Sequence, residues 1–354
     1  MRLITVQRRF SALLICCMLA GLLTHAVYAE AGGELAGHSE GWPSHFHFYA
    51  RNSSSMSREA VEQKPYDFSF VWMSDTQYYS ESYPYIYKGI VNWIVSHRQD
   101  MKIKYVIHTG DIVDDAGKKK QWAEADKNMR VLEKSGIPYG ILAGNHDVSQ
   151  RKGDYRQYRR YFGERRFKKQ PAFSGSYQNN RGHYDLISAG GVDFILVYMG
   201  WGIGEPEIVW MDDVIKRYPG RRAILNLHEY LQISGSRSPL ADEVYERVVK
   251  PNKNVFAVLS GHYHAAKQLI NAIDDNGDGV PDRKVYQILA DYQNALKGGL
   301  GYIRLLQFSV KTNKIYVKTY SPYLDDYNFY DPVDHPGKDE FALDTDLTPM
   351  GKGS

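Results

Sequence analysis

Lys104-Tyr105-Val106-Ile107-His108-Thr109-Gly110-Asp111-Ile112-Val113-Asp114-Asp115 runs from a short apolar stretch into a glycine and a set of carboxylates. Such a run, rich in β-branched and aromatic residues and closed by turn formers, reads as a buried strand that ends in a polar loop. The same pattern recurs. Asp67 to Met73 (DFSFVWM) ends in Ser74-Asp75-Thr76-Gln77, and Tyr139 to Leu142 ends in Gly144-Asn145-His146-Asp147. Ala223 to Leu227 leads into His228-Glu229, and Val255 to Leu259 into Ser260-Gly261-His262-Tyr263-His264. Between the first three strands lie two segments with helical apolar spacing, Tyr85 to His97 and Gln121 to Lys134. Strands alternating with helices define an α/β domain whose sheet is buried between helix layers.

Further strands are predicted at Tyr184–Ile187 and Asp193–Tyr198. Beyond Gly261 the helices disappear, and Lys284–Leu289, Tyr302–Phe308 and Lys314–Thr319 read as strands joined by short turns. With 43% hydrophobic and 24% charged residues, the chain can fill one large core, so residues 66–325 are read as a single domain. Residues 30–65 are read as an irregular lead-in, and 326–354 as an irregular tail wrapping the domain. Residues 1–29, with Arg2, Arg8 and Arg9 ahead of the apolar run Phe10 to Leu23, have the form of a cleavable signal peptide. That places the protein outside the cell or in the envelope. Removing them takes three arginines and both cysteines, so the formal charge falls from +3 by 3 to 0 and no thiolate remains. A neutral mature chain carries no nucleic-acid-binding signature and no membrane span, and it is expected to be a monomer.

If strand-end loops meet beyond the carboxyl ends of the strands, as in open α/β sheets, Asp, Asn, Gln and His converge on one place. Carboxylate, amide oxygen and imidazole are hard to borderline donors suited to Mn²⁺, Fe or Zn²⁺. Glycines beside Asp111, Asn145 and His262 let the backbone turn sharply there. No Ser or Cys stands in a nucleophile setting, which disfavours a Ser-His-Asp hydrolase.

The ordered set GDIVDD, GNHD, a lone His after a strand and GHYH resembles the calcineurin-like metallophosphoesterases, over residues 67–265. The later stretches LADYQN, GYIRLLQF and IYVKTYSP look like a secreted bacterial branch whose first motif reads DTQ. The resemblance implies a four-layer α/β/β/α sandwich of mixed sheets with helices outside. It also implies two divalent metal ions and hydrolysis of a phosphomonoester or phosphodiester, on a small molecule or a polymer. Carried across, Asp75 and His264 bind the first metal, Asp111 bridges, and Asn145, His228 and His262 bind the second. His146 lies near the leaving group as general acid or as a donor to the transition-state oxygens, with Asp147 orienting its ring. A hydroxide held between the metals is then expected to attack phosphorus in line.

Two positions depart from the pattern. Gln77 stands where the family has a histidine ligand, and offers an amide oxygen instead. Asp114 stands where purple acid phosphatases have a tyrosine ligand, which argues against that branch. A catalytically weakened surface or wall-associated binding protein on the same fold is the alternative, and Gln77 alone favours it. His108, ahead of the second motif, reads as a supporting residue rather than a ligand, and the tyrosines after Gln77 read as packing. A separate stretch, Asp274 to Asp282, matches the front of a calcium loop through Asp274, Asn276, Asp278, the Val280 carbonyl and Asp282, without the final acidic residue. It is read either as one structural Ca²⁺ site or as a polar hairpin turn.

Overall fold

A computed structural model describes residues 65–149 and 153–348. The segments read as signal peptide and lead-in, 1–29 and 30–65, lie outside the described residues except at position 65. Three parallel strands begin the domain: β1 (Phe68–Met73), β2 (Ile103–His108) and β3 (Tyr139–Ile141). They are joined through helices α1 (Gln77–Glu81), α2 (Pro84–Ser96) and α3 (Lys119–Ser135). α3 ends at Gly136, whose φ of 69° supplies the left-handed cap that stops a helix. Two short helices follow, α4 (Arg156–Phe162) and α5 (Glu164–Phe167).

The second sheet is built from β4 (Phe173–Tyr177), β5 (Gly182–Ala189), β6 (Val192–Met199), β7 (Arg222–Leu227), β8 (Val255–Ser260), β9 (Ala266–Ile273) and β10 (Arg283–Ala290), in spatial order 4-5-6-7-8-10-9. Its helices are α6 (Glu205–Lys216) and α7 (Pro239–Val244). The chain then passes through α8 (Leu296–Gly299) and returns to the first sheet. There β11 (Ile303–Ser309) pairs antiparallel with β1, and β12 (Lys314–Ser321) with β11. β13 (Asp326–Tyr327) and β14 (Phe341–Asp344) both pair with β12.

Both sheets are mixed, and apolar side chains fill three zones. Between the sheets lie Phe68, Phe70 and Trp72 of β1 against Phe194, Leu196 and Tyr198 of β6. On the outer face of the first sheet, Ile86, Ile90 and Ile94 of α2 and Trp122, Met129 and Leu132 of α3 cover Val71 and Val106. On the outer face of the second, Ile208, Met211 and Ile215 of α6 cover Ile195 and Leu225. The architecture is therefore the expected α/β/β/α sandwich. Strands buried on both faces read as unbroken apolar runs, which is why β1 and β6 stood out in the sequence.

The tail departs from its reading as irregular chain. Its described part adds β13 and β14 to the edge of the first sheet, with Leu343 and Leu347 buried in the inter-sheet core. β4 was also missed: FSGSY is half-exposed and lacks an apolar run. Among the described residues no helix is long and apolar enough to cross a membrane.

Candidate metal centre

The loops after β1, β2, β3, β7 and β8 meet at the carboxyl edges of both sheets. Asp75, Asp111 and His228 are buried there, with one ligand atom from each lying within 4.8 Å of the others. The backbone is bent to achieve this. Asp75, Asp111 and His262 all adopt left-handed φ, at 53°, 51° and 73°. Such conformations cost on the order of 1–3 kcal/mol each and persist where the surroundings enforce them. Of the three neighbouring glycines only Gly110 needs positive φ, at 100°. Gly144 is required for space, because a side chain there would strike the Asp111 carboxylate.

Hydrogen bonds aim each donor. The Nδ1 of His228 lies 2.8 Å from the Thr109 carbonyl, which can only accept. Nδ1 therefore carries hydrogen, and Nε2 faces Asn145 Oδ1 at 2.9 Å and Asp111 Oδ2 at 3.3 Å. An imidazole whose far nitrogen is tied to a carbonyl is the usual arrangement of a metal-ligating histidine. Asp75 is held by a relay in which Trp72 donates to Thr109 Oγ1, Thr109 to Ser74, and Ser74 to the Asp75 carboxylate. Its oxygen Oδ1 also accepts the His262 main-chain N–H at 3.2 Å. The His262 ring packs 5.0 Å from His228 and 5.1 Å from Trp201 between centroids. Nδ1 of His264 lies 3.2 Å from Asp291 Oδ2.

Gln77 is buried with its amide between main-chain carbonyls and the Asp111 carboxylate. The orientation that satisfies its neighbours has the amide nitrogen donating to the carbonyls of Asp75 at 3.0 Å and Asp111 at 3.1 Å. Its oxygen then accepts from the Gln293 amide nitrogen at 3.1 Å and lies 3.4 Å from Asp111 Oδ2.

The electrostatics point the same way. Burial first, then the neighbouring Asp291 charge, push the Asp75 carboxyl well above the usual carboxylate range. Burial alone would raise Asp111 too, but His228 holds it below that range. Burial opposes a charge on His228, yet Asp111 and Asp75 raise it to about 10. Burial, then His228, lower His262 to about 4, whereas the bond to Asp291 raises His264. Asp75, Asp111 and Asp291 thus crowd together, and no lysine or arginine ion pair reaches them among the described residues. Buried oxygen and nitrogen donors converging on one place, without thiolate, fit hard to borderline divalent cations.

One expected role is corrected. Asp147 does not touch the His146 ring. Its carboxylate accepts main-chain N–H groups from Ile112 and Val113, each at 2.9 Å, and from Gly144 at 2.8 Å, pinning the second and third motif loops together. Burial and then the Asp111 charge push this carboxyl up to about 7, against the pull of those donors. Asp114 holds the ring instead, with its main-chain oxygen 2.7 Å from Nδ1 and its carboxylate 3.3 Å away. The His146 main-chain N–H donates to Asp111 Oδ1 at 3.0 Å. His108 is buried, bonded to Thr76 Oγ1 and to the Gly110 N–H, and burial lowers it to about 3, so it buttresses the loop as a neutral ring.

Asp291 and Trp201 carried no expectation from the sequence. Asp291 follows the apolar run of β10, the same strand-end signal that marks Asp75 and Asp111. Trp201 has no such signal, since only folding brings the β6 loop beside His262. At the other candidate site, the 274–282 loop, Asp274 accepts the N–H groups of Asn276, Gly277 and Gly279, and Asp278 that of Val280. Asn276 donates to Asp278 and Asp282, so the loop's acceptors are met from within, as in a hairpin turn. The Val280 side chain is exposed.

The description calcineurin-like phosphoesterase matches residues 68–266, more than half of the chain. The chain belongs to that family. It is 55% identical over 285 residues to the protein YvnB of Bacillus subtilis (strain 168), covering 80% of this chain and 22% of that protein. The chain therefore spans about a fifth of that relative's length. Among solved structures, a purple acid phosphatase from yellow lupin (Lupinus luteus) seeds aligns with a TM-score of 0.54 at 13% identity, over 82% of this chain and 56% of that one. A dimetal phosphatase from Danio rerio aligns with a TM-score of 0.49 at 13% identity, over 73% of this chain and 97% of that one. At 13% identity the lupin likeness concerns the fold alone.

Proposed function

We propose that this chain is an exported dinuclear-metal phosphoesterase that hydrolyses a phosphomonoester or phosphodiester. The observation that carries the chemistry is the buried Asp75–Asp111–His228 group, with His228 Nε2 turned inward by the bond from Nδ1 to Thr109. In this reading Asp75, Gln77 and His264 would hold one ion and Asn145, His228 and His262 the other, with Asp111 available to either. When bound, such ions polarise phosphoryl oxygens and make water acidic enough to attack phosphorus near neutral pH.

The chain's own groups do the rest. The Asp114 carbonyl keeps hydrogen on Nδ1 of His146, so Nε2 is the atom that takes up a proton from solvent and, as imidazolium, hands it to the leaving oxygen. The His146 side chain is 38% exposed, open to a substrate from solvent. Asp147 keeps Asp111 and His146 in register by clamping both loops. Export rests on the signal-peptide form of residues 1–29, and kinship with a secreted bacterial branch rests on the DTQ motif. A phosphorylated small molecule or polymer as substrate, action as a monomer, and Mn²⁺, Fe or Zn²⁺ as the ions belong to the same proposal.

The test is hydrolysis of bis-p-nitrophenyl phosphate and the matching monoester with Mn²⁺, together with metal analysis of the purified protein. Turnover with two ions per chain is expected. No turnover on either ester with any divalent ion, and no bound metal, would replace this reading with the weakened binding protein.

A further inference from the structure

Away from the metal loops, the surface carries a second polar concavity of opposite sign. A cavity of about 530 Å³ lies between the later turns of α3 and the corner joining α4 to α5, lined by Arg130, Glu133, Arg159, Arg160, Arg165 and Arg166. The stretch Arg159-Arg160-Tyr161-Phe162-Gly163-Glu164-Arg165-Arg166 builds it by placing two arginine pairs on either side of the corner at Gly163. Two of these cations are already matched. Arg166 pairs with Glu133 at 2.5 Å and with Asp126 at 2.6 Å, and Arg130 pairs with the other Asp126 oxygen at 3.0 Å.

The remaining three are not. Arg159, Arg160 and Arg165 have no carboxylate within ion-pair distance among the described residues. Arg159 does lie over the Tyr155 ring, with its guanidinium carbon 5.4 Å from the centroid. Its Nε is shielded from solvent and has no hydrogen-bond acceptor. Arg159 also lines the cavity, so a ligand acceptor there would meet its guanidinium group. Guanidinium forks match the oxygens of phosphate two at a time. At about 530 Å³ the concavity is wider than one orthophosphate needs.

We propose that this arginine pocket is a second binding site, for a chain of linked phosphate groups. It is distinct from the metal centre. α3 leaves the second motif loop at Lys119, and Arg130 lies 11 residues further along, about 16 Å at 1.5 Å per residue. One phosphate cannot occupy both places, but an extended multi-phosphate molecule can be held at one while another part reaches the other. The pocket also gives a chain of no net mature charge a local means of attracting anions.

The experiment is calorimetric titration of the purified full chain with sodium tripolyphosphate, orthophosphate and sulfate, at low and moderate NaCl. The native protein is compared with Arg159→Gln/Arg160→Gln/Arg165→Gln and with the milder Arg160→Gln/Arg165→Gln, which changes only exposed side chains. Tripolyphosphate is expected to bind the native protein, more weakly as salt rises, and to lose about 10- to 100-fold in affinity in the triple variant. The double variant should lose part of that. Hydrolysis of bis-p-nitrophenyl phosphate should be unchanged in both. Equal binding by native and triple variant, orthophosphate or sulfate binding as tightly as tripolyphosphate, or loss of small-ester hydrolysis in the double variant would each overturn the proposal. Because binding is read directly, an absence of phosphoesterase activity would leave this result standing.

Discussion

The centre around Asp111 and the loop around Asp278 are both acidic, both glycine-rich, and both legible in the sequence as cation sites. Their surroundings differ. In the loop, Asp274 and Asp278 face solvent and receive N–H groups from their own turn. At the centre, Asp75, Asp111 and Asp291 are at most 2% exposed, and their charges bear on one another. A solvated carboxylate that accepts from its own turn needs no ion, whereas several buried together must be neutralised by protons or by a cation. Asp185 shows a third outcome. It is buried alone, takes a hydrogen bond from Tyr105, and burial holds its carboxyl up at about 7.

The sharpest way to break this contrast is Asp111→Asn. Supporting residues of metal sites cost about 10- to 100-fold when removed, so loss of the Asp111 carboxylate should exceed 100-fold in activity, with reduced metal content by elemental analysis. Retained metal and turnover would put the centre in the same category as the loop. Within the centre, His146→Ala should lower kcat by about 10²- to 10⁴-fold while leaving metal content intact, which separates proton handling from ion holding.

Asp185 sharpens the comparison through pH. Its folded carboxyl titrates near 7 rather than 3.8, so between these values the folded chain holds a proton that the unfolded chain has released. Stability from this group therefore falls as pH rises from about 4 to 7 and is level above, by on the order of 4 kcal/mol at most. Asp185→Asn should remove that slope, so its Tm relative to the native protein should rise from pH 4 to pH 7.5 in scanning calorimetry. An unchanging Tm difference would show that Asp185 is already ionised in the fold. Asp291→Asn should weaken metal affinity by about 10- to 100-fold in a chelator competition, because His264 loses the carboxylate that sets its ring. The smallest effect belongs to the loop. Asp278→Ala should shift Tm by less than about 4 °C, and calcium should not raise the Tm of the native protein. A calcium-dependent rise that disappears in Asp278→Ala would show that the loop holds an ion after all.

Legibility followed burial and repetition. β1, β2 and β6 were visible because strands covered on both faces are unbroken apolar runs. β4 was not visible, because Gly175 and the flanking serines give no apolar signal. β14 reads as tail until β12 offers it an edge. The seven candidate ligands stood out because each follows a strand. Asp291 follows one too, but its use becomes evident only with His264 beside it. The role of Asp147 was misread because adjacency to His146 in sequence is not contact. A short 3₁₀ turn at His146–Val148 sends the two side chains to different partners.

Two things were determined by the sequence alone: the strand and helix order, through periodicity, and the donor chemistry of the site, through residue type at strand ends. Tertiary structure decided which acidic cluster is buried, which oxygen of Asp114 holds His146, and that the arginines of 159–166 face one cavity. The physical reason is that periodicity and residue type are local, whereas desolvation and pairing depend on neighbours remote in sequence, such as the 187 residues that separate Asp75 from the His262 N–H.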